Sequence, residues 1–542
     1  MPPRPDFDRQ HPLPALILAG ACSATAPVLA AEGCHVTLAG ETPPGCSATS
    51  VWNAPYDPAT IDVGGGAFYL RSGALQITNS NAAGNPTGTR GLWVQGQGVS
   101  AAVTTASEAA VTGNASIDIS VTNAADLTAN EGVRASMGGR ISVAGDLSVT
   151  TRAAASYEAP ALVATGTGSG ALLNSGSDIN VVGRLTADTT AAPDTPYAVA
   201  ALDGGRIVVR GGRVQSAQLS VYVLQPSTST LDSQFVSDGS NPLTLTSTAG
   251  SVVMLRGSDS ANLNNAKVTL NQATLTSDNH VALMLMNAGS VRSRVQYSQT
   301  SGSITATQGS AVGYLGAAGS ATVTLRNTDI ATGAMEPGGA DADGVAAGYA
   351  VYSNSSSDLN TLNMVGGTIS GPIETETGAK LSLVLDGTLW DSKGSPDSAT
   401  VNTLSGLWGN GTVRMPDIRD TITLRGDAAG MGDGCGTASL VLQVPPQAPP
   451  TTSPFVVMTC RNAATYPSMA LAGGSVVLGG FSYTLQRVVA DGRAYYQLVK
   501  GNPAPTEGGA NNVTSVPTLG SWGLLALAGL LGLGGMARRR FS

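Results

Sequence analysis

The chain has 542 residues, of which 12% are charged and 69 are Gly, with a formal net charge of −8 and a pI near 4.9. That charged content is about half the roughly 25% of ordinary globular domains, and only four Lys are present, so there is little material for solvated helical faces. Affinity for a phosphate backbone comes from clustered Lys and Arg, and no nucleic-acid partner is expected.

At the N-terminus, Arg4 and Arg9 precede the apolar run "PALILAGACSATAPVLAAEG". Val28-Leu29-Ala30 puts small residues where a signal peptidase reads them, which predicts a signal peptide over residues 1–30 with cleavage near Ala30 or Ala31. The alternative is a lipoprotein signal at Ala19-Gly20-Ala21-Cys22, where Ala19 holds the place that usually carries Leu. Export makes disulfides permissible. The four Cys left after cleavage form two local pairs, Cys34 with Cys46 and Cys435 with Cys460, each expected to staple one end of the body; the competing state is four buried free thiols. Residues 31–60 are expected to cap the N-terminal end.

From 61 to 415 one pattern recurs: a short apolar strand, a Gly-rich turn, an alternating strand, a second turn and another alternating strand. "GVRASMGGRISVAGDLSVTT" begins at Gly132, "AVAALDGGRIVVRGGRVQS" at Ala198 and "AVGYLGAAGSATVTLRNTDIATG" at Ala311. Within a unit the period is two: Ile141 and Val143 share one face, Arg140 and Ser142 the other, and Ile207 and Val209 repeat the arrangement. Such units cannot bury an apolar face alone. Paired glycines before each strand are expected to supply positive φ at the corners. Short strands, glycine corners and stacked copies predict a parallel β-helix of about fifteen coils, a rod on the order of 70 Å long. A string of β-sandwich domains is the alternative, and would need hairpin turns and a longer repeat.

After Met415 the strands lengthen and aromatic residues gather as Phe481, Tyr483, Tyr495 and Tyr496, while Asp491-Gly492 signals a two-residue hairpin. Residues 416–500 are expected to form a β cap over the open last coil. The coils together with "LDGTLWDSKGSPDSATVNTLSGLWGNGTVRM", "ITLRGDAAGMGDG" and "FSYTLQRVVADGRAYYQLVKG" resemble the pertactin-like passenger of autotransporters and its C-terminal cap. The resemblance implies a right-handed, single-stranded parallel β-helix displayed at a Gram-negative surface, commonly in adhesion. In place of the translocating β-barrel that should follow, the chain has the linker 501–515 and a last stretch of different character.

That stretch, residues 516–542, resembles the IPTL-CTERM sorting domain: Val516-Pro517-Thr518-Leu519 with Trp522-Gly523, an apolar segment, then Arg538-Arg539-Arg540. As one transmembrane helix, residues 519–537 would span roughly 28 Å, just enough for a hydrocarbon core near 30 Å. The six leucines from Leu524 to Leu533 favour insertion by roughly 0.5 kcal/mol each while the glycines weaken it, and the three Arg stay cytoplasmic by the positive-inside rule. The expected partners are therefore the membrane and a sorting or processing enzyme.

Catalytic chemistry has little to build from. Asn327-Thr328-Asp329 matches one triplet of the pectin-hydrolysing β-helix enzymes, but their Asp-Asp, Gly-His-Gly and Arg-x-Lys elements are absent, so Asn327 and Asp329 are expected to be turn residues between coils. His35 and His280 are the histidines left after signal removal and lie far apart, which disfavours a Ser/His/Asp triad or a His-rich metal site. Asp341 and Asp343 in "GGADADG" are too few for calcium and are expected in a solvated loop. "GTGSG" at Gly166 opens no helix, so no phosphate cradle is expected. Arg425-Gly426-Asp427 is a tripeptide that integrins read in exposed loops, and equally the turn residues that the cap requires. No cofactor or metal is expected. The function expected is non-enzymatic: an exported, surface-directed solenoid that binds a glycan or protein in adhesion or envelope interaction. A β-helix polysaccharide lyase or hydrolase is the alternative, and would need carboxylates converging on one face.

Overall fold

The computed structural model describes residues 34–36, 47–48 and most of 61–503. Within that last span 65–66, 71–73, 82–88, 100–101, 106, 122–129, 155, 167–175, 226–230, 240, 258–264, 288–293, 317–318, 334–338, 342–344, 358–359, 393–398, 428–433, 446 and 448–453 lie outside the description. The expected signal peptide, Cys46 and the whole tail from Val516 to Arg540, with the transmembrane helix expected there, also lie outside the described residues. Among those described, no helix is long and apolar enough to cross a membrane.

All regular structure among the described residues is β. The chain winds so that each coil gives one strand to an 11-stranded sheet and two to a 23-stranded sheet. Glu131–Ser136 enters the smaller sheet, and Arg140–Val143 and Leu147–Ala153 enter the larger one. The next coil repeats this with Leu162–Thr165, Asp178–Val181 and Leu185–Ala191. Successive copies pair in parallel, Arg140 opposite Asp178 and Asp178 opposite Arg206, because every coil runs the same way round. This is a parallel β-helix. The smaller sheet stacks eleven strands among the described residues, and Val401–Leu404, Thr421–Leu424 and Phe455–Cys460 carry on the parallel pairing in a separate sheet next to its last strand.

Alternation decides which side chains go inward. One register line through the smaller sheet is aliphatic without a break: Ile61, Leu92, Val133, Leu162, Val199, Val221, Val253, Leu283, Val312, Val351 and Ile373. All are at most 1% exposed. Burying such a side chain is worth about 1.5–3 kcal/mol, and no single coil could collect it without a neighbour on each side.

The paired glycines meet two different demands. In "MGGR" and "DGGR" the first glycine and the residue before it take positive φ, at Met137 (50°), Gly138 (81°), Asp203 (54°) and Gly204 (84°). The second glycine is fixed by the coil beneath: a Cβ on Gly139 would stand 2.2 Å from the Val94 carbonyl oxygen, and one on Gly205 2.0 Å from that of Ala164. The expectation that both glycines serve positive φ holds at Gly211-Gly212 and Gly366-Gly367 and is corrected for these two pairs.

Further along, the corner between the two strands of the larger sheet is absorbed into single long strands, Asn265–Ser277, Arg294–Ala306 and Ser320–Thr332. Each bends at a left-handed residue, Gln272, Ser301 and Asn327 in turn. Asn327 and Asp329 therefore sit inside a strand and not between coils. Asp329 accepts hydrogen bonds from the Thr368 backbone N–H (2.9 Å) and hydroxyl (2.7 Å) on the next coil.

Parallel pairing continues past Met415, from Gly406–Arg414 to Ser439–Gln443 and on to Ser468–Leu471. Antiparallel pairing enters where Phe455–Cys460 meets Arg493–Pro503, which pairs in turn with Phe481–Ala490. The connecting Asp491 and Gly492 both take positive φ, as a two-residue hairpin turn needs. Tyr483 and Tyr496 are buried in this end of the core. Cys435 and Cys460 form a disulfide there, with Cα atoms 5.9 Å apart and both residues fully buried.

Two glycines differ in how closely the neighbouring coil approaches them. Gly302 (φ 106°) has the Ala273 carbonyl oxygen 1.8 Å from where a Cβ would be, whereas Gly378 (φ 83°) has nothing within 4 Å. Both Ala variants carry the left-handed strain of about 1–2 kcal/mol, but only Gly302→Ala must also push coils apart. Thermal unfolding should show Gly302→Ala well below Gly378→Ala; equal losses would contradict the close approach.

Candidate functional site

Where one register line of the smaller sheet points inward, the next points out. That outer line reads Trp93, Arg134, Val163, Ala200, Tyr222, Met254, Met284, Gly313, Tyr352 and Glu374. It carries aromatic, sulfur and charged groups on a rigid scaffold, and three clusters form along it.

At one end Arg90 lies over the Trp93 ring, with its guanidinium carbon 3.3 Å from the centroid, and Arg134 lies 5.1 Å from the same centroid. Glu131, opposite Arg90 in register, accepts a 2.6 Å charge-assisted bond from Arg134. Burial raises the Glu131 carboxyl above its ordinary pKa, and the opposing pull of Arg134 and Arg90 does not cancel it. Two coils on, Tyr197 and Tyr222 stack with ring centroids 5.7 Å apart. Burial first, then the carboxylates of Glu131 and Glu158, push the Tyr197 phenol up to about 12.

The middle of the line is apolar. Val281, Met284, Leu315 and Tyr352 form a second buried cluster outside the main core, with Met254, Met286, Val345, Ala346 and Tyr349 packed against it. Ser310 ties this cover down by donating to the Ala346 carbonyl oxygen (2.8 Å). Asp341 was expected in a solvated loop; instead its side chain is fully buried, 3.7 Å from Nδ1 of the buried His280. Asp343 lies outside the described residues.

At the far end Tyr349 and Tyr352 stack at 6.0 Å, and the Tyr352 hydroxyl donates to Glu376 Oε1. Burial raises the Glu374 carboxyl; Thr403 and Arg425 oppose the shift and Glu376 adds to it. Here two carboxylates do converge with two phenols on one face, which sequence reasoning missed. The alternation of "IETET" puts Glu374 and Glu376 on the same side, but Tyr352 is 24 residues away and reaches them only through the winding.

Arg425 is engaged within the chain, donating to the carbonyl oxygens of Thr375, Glu376 (2.6 Å) and Ala379 (3.1 Å) on an earlier coil. Gly426 has φ 72°, and Asp427 bridges to Gly434. The tripeptide is thus laid against the solenoid, with its cation bonded to backbone. Among the described residues no group of three or more His, Cys, Asp and Glu is placed to hold a metal ion.

Glu131 supplies a pH test. A carboxyl whose folded pKa is raised binds its proton more tightly when folded, so its contribution is most favourable below the unfolded pKa of 4.5 and is lost as pH rises through the folded value. Glu131→Gln lacks that titration. The melting temperature of the variant relative to the wild type should climb between pH 4.5 and pH 7; a flat difference would contradict the buried, proton-favouring site.

Residues 514–541 match the family model of the IPTL-CTERM motif. No curated protein sequence matches the chain. Among solved structures, the autotransporter UpaB from E. coli strain CFT073 is similar at 12% identity over 82% of this chain and 95% of that one, with a TM-score of 0.28. The Haemophilus influenzae Hap adhesin is similar at 12% identity over 86% of this chain and 68% of that one, with a TM-score of 0.27. Superpositions this loose carry no conclusion: the parallel register establishes the β-helix, and the motif match identifies the C-terminal residues as an IPTL-CTERM tail.

Proposed function

We propose that the chain is an exported, non-enzymatic solenoid of the autotransporter-passenger type, sorted through its tail and binding a glycan or protein at the Gram-negative envelope or surface. The observation that carries this reading is the match of residues 514–541 to the IPTL-CTERM motif. A sorting motif calls for a recognising enzyme, and the apolar segment followed by Arg538, Arg539 and Arg540 suits first retention in the inner membrane with the body outside. The glycine-rich segment suits a processing enzyme that must unwind a helix. Right-handed winding is the sense that parallel strand crossovers overwhelmingly take. The outer line of the smaller sheet supplies the binding face, since aromatic, methionine and arginine side chains are the types that dominate recognition surfaces.

A second reading, a polysaccharide lyase or hydrolase, is favoured by one observation, the convergence of Glu374 and Glu376 with Tyr349 and Tyr352. Release of reducing or unsaturated ends from a glycan panel by the wild type, abolished in Glu374→Gln, would install that reading in place of ours.

The sorting role is tested by cell fractionation. Deletion of residues 516–542 should free the body as a soluble periplasmic protein, and replacing the three Arg with Glu should weaken retention. If full-length and tail-less chains distribute identically between membrane, periplasm and medium, the tail is not an address.

A further inference from the structure

The buried side-chain atoms that lack a hydrogen-bond partner among the described residues include four on two adjacent strands: Thr89 Oγ1, Asn130 Nδ2 and Glu131 Oε2 at their starts and Trp93 Nε1 further along. The four residues are 0%, 6%, 2% and 7% exposed. They are locked side by side by the solenoid. The Asn130 side-chain oxygen accepts from the Thr89 backbone N–H (2.8 Å), the Glu131 backbone N–H donates to the Thr89 carbonyl oxygen (3.1 Å), and Arg134 stands opposite Trp93 in register. A buried polar group without a partner costs about 1–3 kcal/mol. The scaffold satisfies comparable groups nearby, as where the Ser107 hydroxyl donates to the Gln95 carbonyl oxygen (2.7 Å). Unsatisfied atoms on two neighbouring strands are a demand for something the chain does not supply.

We propose that Thr89, Trp93, Asn130, Glu131 and Arg134 form a sugar-binding subsite that takes one pyranose unit of a glycan through neighbouring hydroxyls. The proposal rests on the reading of this sheet face as a binding face. The unpaired atoms comprise two N–H donors, a carboxylate oxygen that accepts and a hydroxyl that does either. A hydroxyl donates and accepts at once, so two on adjacent carbons answer all four. A simple anion would leave Glu131 Oε2 unanswered and meet its charge, and a cation would meet the Arg134 guanidinium. The two guanidiniums against Trp93 occupy its ring, so a ligand meets the indole N–H edge and not a stacking surface, which excludes a nucleobase held by stacking. Arg134 is the member most open to solvent, 26% exposed at its side chain, and marks the side from which a sugar would approach.

The test is a glycan array probed with the purified full-length chain, followed by titration of the strongest hits. Trp93→Phe removes the indole N–H and keeps an aromatic ring under the guanidiniums; Thr89→Val removes a hydroxyl at constant shape. The wild type should bind glycans sharing one pyranose unit, and each variant, with unchanged circular dichroism, should bind at least tenfold more weakly. If Trp93→Phe misfolds, Thr89→Val alone decides. Absence of glycan binding by the wild type, or equal binding by a folded variant, would overturn the subsite. Capture of a protein ligand without any glycan would overturn it too, while leaving the export and sorting reading intact.

Discussion

Everything in this molecule depends on one inward line of aliphatic side chains, from Ile61 to Ile373, stacked coil upon coil in parallel register. Each member is buried only because the coils above and below are present, so stability is shared between neighbours and not owned by any unit. Close stacking also sets the backbone chemistry. Where one coil's carbonyl lies about 2 Å from the place a Cβ would take, as at Gly139 and Gly205, only glycine fits. The high glycine content is thus a requirement of contact between coils as much as of turns.

Because alternation settles the main core, the outer line is packed separately, Trp93 beneath two guanidiniums and Met284 and Tyr352 in a second buried cluster. Trp93, Tyr222, Met254, Met284 and Tyr352 project from strands whose positions are already determined. As the binding face proposed above, such a line would be preorganised, with little ordering left to be done when a partner arrives. The charges on it are few but concentrated: Glu131 and Arg134 at one end, Glu374, Glu376 and Arg425 at the other. A chain with so sparse a charged surface places these groups where burial raises two of the carboxyls above their ordinary range.

Legibility in the sequence followed distance along the chain. Period-two alternation at Ile141/Val143 and Ile207/Val209 is local, and the β-helix followed from it. The hairpin at Asp491-Gly492 and the motif at Val516–Leu519 are equally local. The role of the second glycine in "MGGR" and "DGGR" was hidden, because it depends on a carbonyl one coil away, some forty residues earlier for Gly139 and Val94. So was the bend at Asn327, which looked like a break between strands and is a single left-handed residue within one. The His280 and Asp341 pair joins residues 61 positions apart, and no spacing rule announces it. Clusters on the outer face share that property, since winding and not sequence proximity brings their members together.

The register of the outer line is the claim on which the binding face stands, and paired cysteines measure it. Tyr222 and Met254 are register partners, as are Met254 and Met284. Strand neighbours lie roughly 4.8 Å apart, inside the Cα range of about 4.4–6.8 Å that a disulfide tolerates, while two coils of separation double the distance. Tyr222→Cys with Met254→Cys should therefore cross-link under mild oxidation, and Tyr222→Cys with Met284→Cys should not, as mapped by mass spectrometry of the digested protein. Cross-linking of the second pair, or of neither, would contradict the stacked register and with it the face built upon it.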